Sequence, residues 1–173
     1  MIIRKAVNED YKIVREFYYL LTDALENAKH TPGWVRDVYP DQQLILGSIC
    51  NGELFLAFDQ EVLVGSMILN HLCNEGYPAD GWLVDASPDQ IAVIHALGVH
   101  PDYRRRGYAK ALVNKAIEVA RSERCTTLRL DVLLGNDSAK WLYEKMGFKI
   151  VHFQRMYYED TGWTDYHLFE FPL

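Results

Sequence analysis

Residues 99–109 read Val-His-Pro-Asp-Tyr-Arg-Arg-Arg-Gly-Tyr-Ala, and this stretch decides the fold. The apolar run before it, residues 91–99, predicts a buried strand, which Pro101 ends because proline cannot continue a central strand. After Gly107 the apolar residues fall on one stripe of a helix, and they are Ala109, Leu112, Val113, Ala116, Ile117 and Ala120. The stretch therefore predicts a strand, a basic turn and the start of a helix in succession.

The basic turn has the composition of a phosphate-binding loop. The first turn of a helix carries N–H groups without partners and a partial positive charge, which suits phosphate oxygens. Gly107 and Ala109 are small enough to let a ligand approach the backbone. The arginines of residues 104–106 could also form a solvated charge run, but their place between a buried strand and an amphipathic helix favours binding. A nucleotide P-loop is disfavoured because its Gly-Lys-Ser/Thr is absent.

The rest of the chain supplies the elements of a mixed sheet. Strands are predicted at residues 2–7, 54–58, 62–69, 91–99, 126–133, 148–157 and 164–171, and helices at about 10–29 (ending near Ala28), 41–50, 107–120 and 137–146. The early strands form an antiparallel hairpin, whereas strand, helix and strand across residues 91–133 require a right-handed parallel crossover. The polar insert of residues 74–90 predicts a surface loop. The predicted fold class is α/β with a mixed sheet covered by helices.

Composition limits the class of protein. The chain has 173 residues, 49% apolar and 24% charged, with a formal net charge of −6, so residues 1–173 are expected to form a single domain. The negative charge argues against nucleic acid or an anionic membrane as partner. The absence of a secretory signal or a long apolar run predicts a cytoplasmic protein. Cys50, Cys73 and Cys125 are widely spaced, which predicts reduced thiols that fill space and no metal site.

Two blocks of sequence carry a family resemblance. Arg104-x-x-Gly107-x-Ala109 resembles the acyl-coenzyme A signature of the GNAT superfamily of N-acetyltransferases, Gln/Arg-x-x-Gly-x-Gly/Ala. Residues 136–148, Asn-Asp-Ser-Ala-Lys-Trp-Leu-Tyr-Glu-Lys-Met-Gly-Phe, are similar to that family's Asn-x-x-Ala-x-x-Leu-Tyr-x-x-x-Gly-Phe. The upstream residues 97–101 also look like the family's fourth strand. Two such blocks in the right order are more specific than either one alone.

The resemblance implies a three-layer α/β fold with about seven strands, helices on both faces, and a bulged fourth strand that splays from the fifth. It implies acetyl-CoA as co-substrate and transfer of the acetyl group to a primary amine of a small molecule. By the same resemblance, the residues expected at the cofactor are Leu97, Gly98, Val99, Arg104, Arg105, Arg106, Gly107, Tyr108, Ala109, Asn136, Ala139 and Tyr143.

The resemblance also suggests catalytic roles. Tyr143 matches the family tyrosine that protonates the departing sulfur, with packing of its ring as the alternative. His95 is similar to a histidine that relays a proton in the arylalkylamine branch, with a core histidine as the equal alternative. That branch also carries a histidine where Val93 stands here, so its substrate is not carried over. Asn136 either bonds the pantetheine arm or caps a helix. The oxyanion donor need not be a side chain, because the backbone N–H of Val99 at the bulge can serve.

The acceptor pocket is expected where aromatic rings stand beside carboxylates, which suits an ammonium group. The residues are Trp34, Asp37 and Tyr39 in one loop and Tyr157, Tyr158, Glu159, Asp160 and Trp163 in a late turn. Simple packing of these rings is the alternative. Other functions left open are acetylation of a peptide or protein amine, a non-catalytic acyl-CoA-binding regulator, and a nucleic-acid module using the arginines. Exposed strands permit a homodimer but no residue requires one.

Overall fold

The computed structural model describes residues 1–25 and 31–173, and a seven-stranded sheet forms its centre. The strands are β1 (Ile2–Lys5), β2 (Leu54–Asp59), β3 (Val62–Asn70), β4 (Ile91–Val99), β5 (Thr127–Leu133), β6 (Lys149–Tyr158) and β7 (Gly162–Pro172), in the spatial order β1-β2-β3-β4-β5-β7-β6. The helices in the described ranges are α1 (Tyr11–Leu25), α2 (Gln42–Cys50), α3 (Tyr108–Ser122) and α4 (Asp137–Lys145), with short 3-10 turns at Asn8–Asp10, Pro88–Gln90 and Pro101–Tyr103.

The predicted mixed α/β class is confirmed, and most element boundaries agree within two residues. The first helix is described only to Leu25, and its predicted end near Ala28 lies outside the described residues. Asp10 sits at the N-terminal end of this helix, where its carboxylate accepts from the Val7 N–H at 2.9 Å and from Arg4 at 2.6 Å. These bonds satisfy a donor that the start of the helix would otherwise leave free.

Helices cover both faces of the sheet, which gives the three layers that the resemblance implies. On one face, α1 and α2 bury residues such as Leu21 and Ile45 against Leu54, Leu56 and Ile68 of the sheet. On the other face, α3 and α4 pack a larger apolar cluster that includes Leu112 and Tyr143. Alternate side chains of each strand therefore enter different cores. Within the described ranges, no helix combines the length and the apolar character needed to span a membrane.

The sheet opens between β4 and β5, which are its parallel pair of strands. β4 and β5 are paired at Ile91–Thr127, Ala92–Leu128 and Val93–Arg129, while β4 continues to Val99 and β5 to Leu133. All other neighbouring strands are antiparallel. The expected splay between strands 4 and 5 is therefore present, and it opens a gap in the middle of the sheet.

The insert between β3 and β4 contains no strand, as predicted, but it is more than a solvated loop. Tyr77 and Trp82 of the insert pack against a small core of Met156, Tyr166 and Leu168 on the last two strands. The Cβ of any side chain at Gly76 would lie 2.8 Å from Met156 Cγ, so glycine permits this close approach. The insert therefore forms a wall against the last two strands.

A buried ion pair ties this wall to the sheet. Arg129 Nε donates to Glu170 Oε1 at 3.2 Å, with the two side chains 7% and 0% exposed. Arg129 also donates to the Val84 carbonyl at 3.0 Å, and its guanidinium lies over the Trp82 ring, 4.0 Å from the centroid. The Leu83 N–H donates to the second oxygen of Glu170. Because each charge has several partners, the pair fixes the insert in one position.

Removing one member of this pair leaves the other charge buried. We expect Glu170→Ala to lower the free energy of unfolding by about 3–5 kcal/mol, measured by guanidinium titration. The double variant Arg129→Leu/Glu170→Leu should recover part of that loss. Glu118→Ala, which breaks the exposed Lys115–Glu118 pair of 2.7 Å, should cost less than about 1 kcal/mol. A Glu170→Ala protein as stable as the Glu118→Ala protein would contradict this account.

Candidate active site

A β-bulge lies in β4 beside the splay. Ser66 pairs with Gly98 and Ile68 pairs with His95, so β4 has one more residue than β3 over this interval. The extra residue lies at Ala96 or Leu97, and Ala96 has a positive φ of 48°. The expectation of a bulge at Val99 is wrong, because Val99 pairs regularly with Gly65.

Helix α1 holds this bulge in place. The hydroxyl of Tyr18 donates to the Ala96 carbonyl at 2.8 Å and lies 3.1 Å from Ser66 Oγ. The helix can approach because Gly98 has no side chain, since a Cβ there would lie 2.4 Å from Leu21 Cδ1. Tyr18 was not among the predicted site residues, although its spacing of four residues from Val14 places it on the buried face of the helix.

The start of α3 has the free donors that the sequence predicts. Gly107 is the N-cap with a φ of 89°, and no side chain caps the helix. Within residues 1–25 and 31–173, no protein group accepts a hydrogen bond from the N–H of Gly107, Tyr108 or Ala109. The space that a Cβ on Gly107 would enter has no heavy atom within 4 Å. This geometry forms an open cradle for an anion.

The other predicted residues of this loop differ in their positions. Arg104 lines the cavity described below, whereas Arg105 and Arg106 are exposed outside it. The guanidinium of Arg106 lies 4.9 Å from the ring centroid of Tyr103. The Tyr108 hydroxyl donates to Asp59 and its ring lies 6.2 Å from that of Tyr103, so the side chain makes protein contacts and does not line the cavity.

A cavity of about 300 Å³ connects this cradle with the splay. It runs from Arg104 and Ala109 past the bulged part of β4 and the end of β5 to helix α4. Of the residues predicted at the cofactor, those that line it are Leu97, Gly98, Val99, Arg104, Ala109, Asn136, Ala139 and Tyr143. A chain that passes between the two strands would therefore meet backbone groups on one side and α4 on the other.

Tyr143 lies on α4 at the inner end of this path. It is 6% exposed, and its ring packs against Phe148 and Phe169 at centroid distances of 5.4 and 5.9 Å. Burial, together with the nearby charge of Asp131, raises its pKa above the usual value. The phenol therefore keeps its proton at neutral pH, as a general acid must. The ring is therefore packed in the core, which is the alternative considered for Tyr143, and it also borders the cavity, as the acid role requires.

His95 and Asn136 make mainly protein contacts. His95 Nε2 lies 3.0 Å from Asn70 Oδ1, and burial lowers the pKa of His95 to about 4. The ring is therefore uncharged at neutral pH but is a weak proton acceptor. Asn136 accepts a bond from the Ala139 N–H at 3.4 Å, which is the capping role, and its side chain still borders the cavity.

An acidic and aromatic region closes the other end of the cavity. Asp131 of β5 accepts hydrogen bonds at Oδ2 from the hydroxyls of Tyr77, at 2.8 Å, and Tyr158, at 2.7 Å. Burial raises the pKa of this carboxyl, and the two phenols oppose the shift. Asp160 also lines the cavity, and burial raises its pKa to about 6.

Four of the eight residues predicted for the acceptor pocket line this cavity. Trp34, Tyr39, Tyr158 and Asp160 line the cavity, and the rings of Tyr39 and Tyr158 lie 6.5 Å apart. The other four residues lie elsewhere: Asp37, which pairs with Arg15 and Tyr19, and Tyr157, Glu159 and Trp163, which are exposed. Three further residues were not predicted: Asp131 and Tyr166, which line the cavity, and Tyr77, which bonds Asp131. Asp131 could have been found as a polar residue inside an apolar strand.

The positions of the cysteines differ from the expectation that all three fill space in the core. Cys125 is buried, but Cys50 and Cys73 are exposed and fill no space in the core. Cys125 lies with His71 and Glu123 in a group whose ligand atoms are all within 4.8 Å of one another, a spacing that could hold a metal ion. The group lies near the start of β4, away from the cavity. Sequence spacing gave no sign of it, because His71 is distant along the chain.

The splayed sheet, the free helix start and the cavity between them have the architecture expected of N-acetyltransferases. The model of the acetyltransferase (GNAT) family matches residues 14–148 of the chain. The chain therefore belongs to this family, which uses acetyl-CoA, and the assignment made from its two sequence blocks is confirmed.

Relatives and solved structures agree with this assignment. The chain is 36% identical over 70 residues to [ribosomal protein bS18]-alanine N-acetyltransferase of Escherichia coli K12, covering 40% of this chain and 47% of that protein. It is 37% identical over 68 residues to an uncharacterized N-acetyltransferase of Methanocaldococcus jannaschii, covering 39% of this chain and 30% of that protein. These matches therefore span less than half of either relative.

The fold is shared over almost the whole chain. A GNAT-family acetyltransferase from Streptococcus agalactiae superposes with a TM-score of 0.81 at 18% identity, covering 99% of this chain and 95% of that one. A putative acetyltransferase from Salmonella typhimurium, solved with acetyl-CoA, gives 0.72 at 18% identity, covering 100% and 94%. At 18% identity, these superpositions show a shared fold and nothing further.

The open space at Gly107 provides a test of the cradle. Gly107→Ala should cost about 1 kcal/mol of stability because of its positive φ, and a methyl group in the cradle should weaken acetyl-CoA binding by at least about tenfold, measured by calorimetry. Gly52→Ala is the matched control, since Gly52 also has a positive φ of 67° but lies in the turn before β2. Equal acetyl-CoA affinity in the two variants would rule out the cradle.

Asp160 should make stability depend on pH. Its folded pKa of about 6 lies above the ordinary value of 3.8, so the folded state binds the proton more tightly and loses stability as pH rises from about 4 to 6. Asp160→Asn should therefore match the wild type near pH 4 and be more stable by about 2–3 kcal/mol at pH 8, measured by urea unfolding. The exposed Asp165→Asn control should show no such trend. A stability difference that does not change with pH would contradict the assignment.

Proposed function

We propose that this protein transfers an acetyl group from acetyl-CoA to a primary amine of a small molecule. The observation that carries the proposal is the continuous cavity, which is lined by Arg104 and Ala109 at the start of α3, by the splayed part of β4 and β5, and by aromatic rings and carboxylates. The first part fits a diphosphate and a pantetheine arm. The last part suits an ammonium group.

Acetyl-CoA supplies an activated acyl group when bound, and residues of the chain position it and move protons. The free N–H groups at Gly107 to Ala109 hold the diphosphate, and the bulged strand offers backbone groups to the pantetheine arm. Tyr143 serves as the acid that protonates the departing sulfur. His95 stays a prediction as base, and Asp131, a carboxylate in the cavity lining whose pKa is raised by burial, is a second candidate for this role.

The nearest alternative acceptor is the α-amine of a peptide or protein. It is favoured by the similarity to ribosomal-protein alanine acetyltransferases and to the N-alpha-acetyltransferase RimI of Mycobacterium tuberculosis, which is 35% identical over 69 residues, covering 40% of this chain and 42% of that protein. We favour a small amine because Tyr77 of the insert bonds Asp131, a residue of the cavity lining, so that the insert lies behind this part of the cavity. Three earlier expectations remain predictions: that the chain forms a single domain, that it is cytoplasmic, and that it forms a homodimer.

A binding and turnover experiment tests this function. Acetyl-CoA at millimolar concentration should raise the melting temperature of the wild type, because a ligand of the native state stabilises it by mass action. Tyr143→Phe should keep this rise but lower thiol release with a panel of amines by about 100-fold or more. Tyr11→Phe, which removes a buried hydroxyl at the start of α1, is the control and should retain turnover. No rise in melting temperature would overturn the proposal, and full turnover by Tyr143→Phe would remove its role as acid.

A further inference from the structure

A histidine, a glutamate and a cysteine meet outside the cavity of the candidate active site. One ligand atom from each of His71, Glu123 and Cys125 lies within 4.8 Å of those of the other two. None of these residues lines that cavity. They belong to three separate parts of the fold, because His71 follows β3, Glu123 caps the end of α3 and Cys125 precedes β5. The group is therefore formed by the fold and not by a local sequence motif.

The ring of His71 is held as metal-binding histidines usually are. Its Nδ1 lies 2.7 Å from the carbonyl oxygen of Ile91, the first residue of β4. Because a carbonyl oxygen can only accept a hydrogen bond, Nδ1 carries the proton and the neutral ring has its lone pair on Nε2. Histidines that bind metal ions commonly donate their other ring N–H to a backbone carbonyl in this way. The bond to Ile91 therefore leaves Nε2 as the ligand atom.

The three ligands combine one fixed side chain with two adjustable ones. Cys125 is 6% exposed, and its N–H donates to the Ala120 carbonyl at 2.9 Å, which fixes its backbone. His71 and Glu123 are exposed. In a tetrahedral zinc site with bonds of about 2.0–2.3 Å, the ligand atoms lie about 3.3–3.8 Å apart. A small rotation of the exposed Glu123 side chain is enough to reach this spacing.

The electrostatic surroundings of Glu123 favour a cation. Within residues 1–25 and 31–173, this carboxylate forms no ion pair. It stands at the C-terminal end of α3, where carbonyl groups without helical partners carry a partial negative charge. Lys5 borders the same hollow of about 220 Å³ as His71 and Glu123, but it does not pair with the carboxylate. The hollow gives an ion access from solvent.

We propose that His71, Glu123 and Cys125 form a zinc site, with solvent at the fourth coordination position. Imidazole, carboxylate and thiolate are all ligands of Zn²⁺, whereas Mg²⁺ and Ca²⁺ prefer oxygen ligands alone. When the ion binds, an S–Zn bond replaces the S–H bond of Cys125, and the proton passes to water. Because two of the three protein ligands are exposed, a chelator can remove the ion.

The position of the site gives the ion a structural effect. Cys125 lies two residues before Thr127, which pairs with Ile91 across β4 and β5, and His71 is bonded to the carbonyl of the same Ile91. The bridge from His71 to Cys125 therefore joins elements at the paired end of the two strands, opposite the splay. Zn²⁺ binds only when these elements are together, so it stabilises the folded chain. This inference is independent of the proposed acetyltransferase function.

Metal titrations of the full chain test the site. The protein, freed of metal with EDTA and kept reduced, should bind one Zn²⁺ with a Kd below about 10 µM, measured by calorimetry. Co²⁺ in place of Zn²⁺ should give the near-ultraviolet charge-transfer absorption of a cobalt–thiolate bond. Cys125→Ser should abolish this absorption. Cys50→Ser and Cys73→Ser, which change the exposed thiols outside the group, are the controls and should keep it.

Variants of the exposed ligands make the test independent of the buried thiol. His71→Gln and Glu123→Gln should each weaken Zn²⁺ binding at least about tenfold, while their metal-free melting temperatures stay near that of the wild type. Zn²⁺ should raise the melting temperature of the wild type by mass action and leave that of each variant almost unchanged.

Three results would overturn the zinc site: a Kd for Zn²⁺ weaker than about 10 µM, a cobalt–thiolate absorption that survives in Cys125→Ser, or wild-type Zn²⁺ affinity in both His71→Gln and Glu123→Gln. If Cys125→Ser does not fold, the two exposed variants decide. Loss of acetyl-CoA binding or turnover would affect the proposed function alone, since none of these measurements involves the coenzyme.

Discussion

The short parallel pairing of β4 with β5 is the constraint on which the rest of the structure depends. The two strands share three paired positions and then separate, although both continue for several residues. Backbone N–H and C=O groups that leave a ladder need other partners, since an unpaired buried group costs free energy. A ligand that passes between the strands can supply these partners. The opening in the sheet is thus both a local deficit in hydrogen bonding and the place where binding is most favoured.

The surrounding elements keep this opening from closing. Tyr18 holds the Ala96 carbonyl from one face, and the packing of Leu21 over Gly98 brings α1 close to the bulge. On the far side, the Arg129–Glu170 pair fixes the insert whose Tyr77 supports Asp131. The carboxylates in the cavity lower the stability of the empty protein, since burial raises the pKa of each. Stability given up at a site in this way is a common cost of binding.

The sequence predicted the cofactor half of the site better than the acceptor half, and the reason is physical. A helix start and its glycine are close together in sequence, so residues 104–109 reveal the cradle directly. The residues at the acceptor end are brought together by contacts between distant parts of the chain. Whether each one borders the cavity depends on the face of the strand from which its side chain projects. Tyr157 and Trp163 are directly paired on β6 and β7 and point away from the cavity, whereas the adjacent Tyr158 points into it. Alternation of one residue therefore decided which of the predicted aromatic residues border the cavity.

The central claim is that free amides at the start of α3 and the bulged end of β4 bind one acetyl-CoA molecule. Titration of the ¹⁵N-labelled protein with acetyl-CoA, followed by backbone amide resonances, tests this claim most directly. The account predicts that the largest shifts belong to Gly107, Tyr108 and Ala109 and to residues 97–99. Unchanged resonances at these positions, with the largest shifts on another surface, would contradict it.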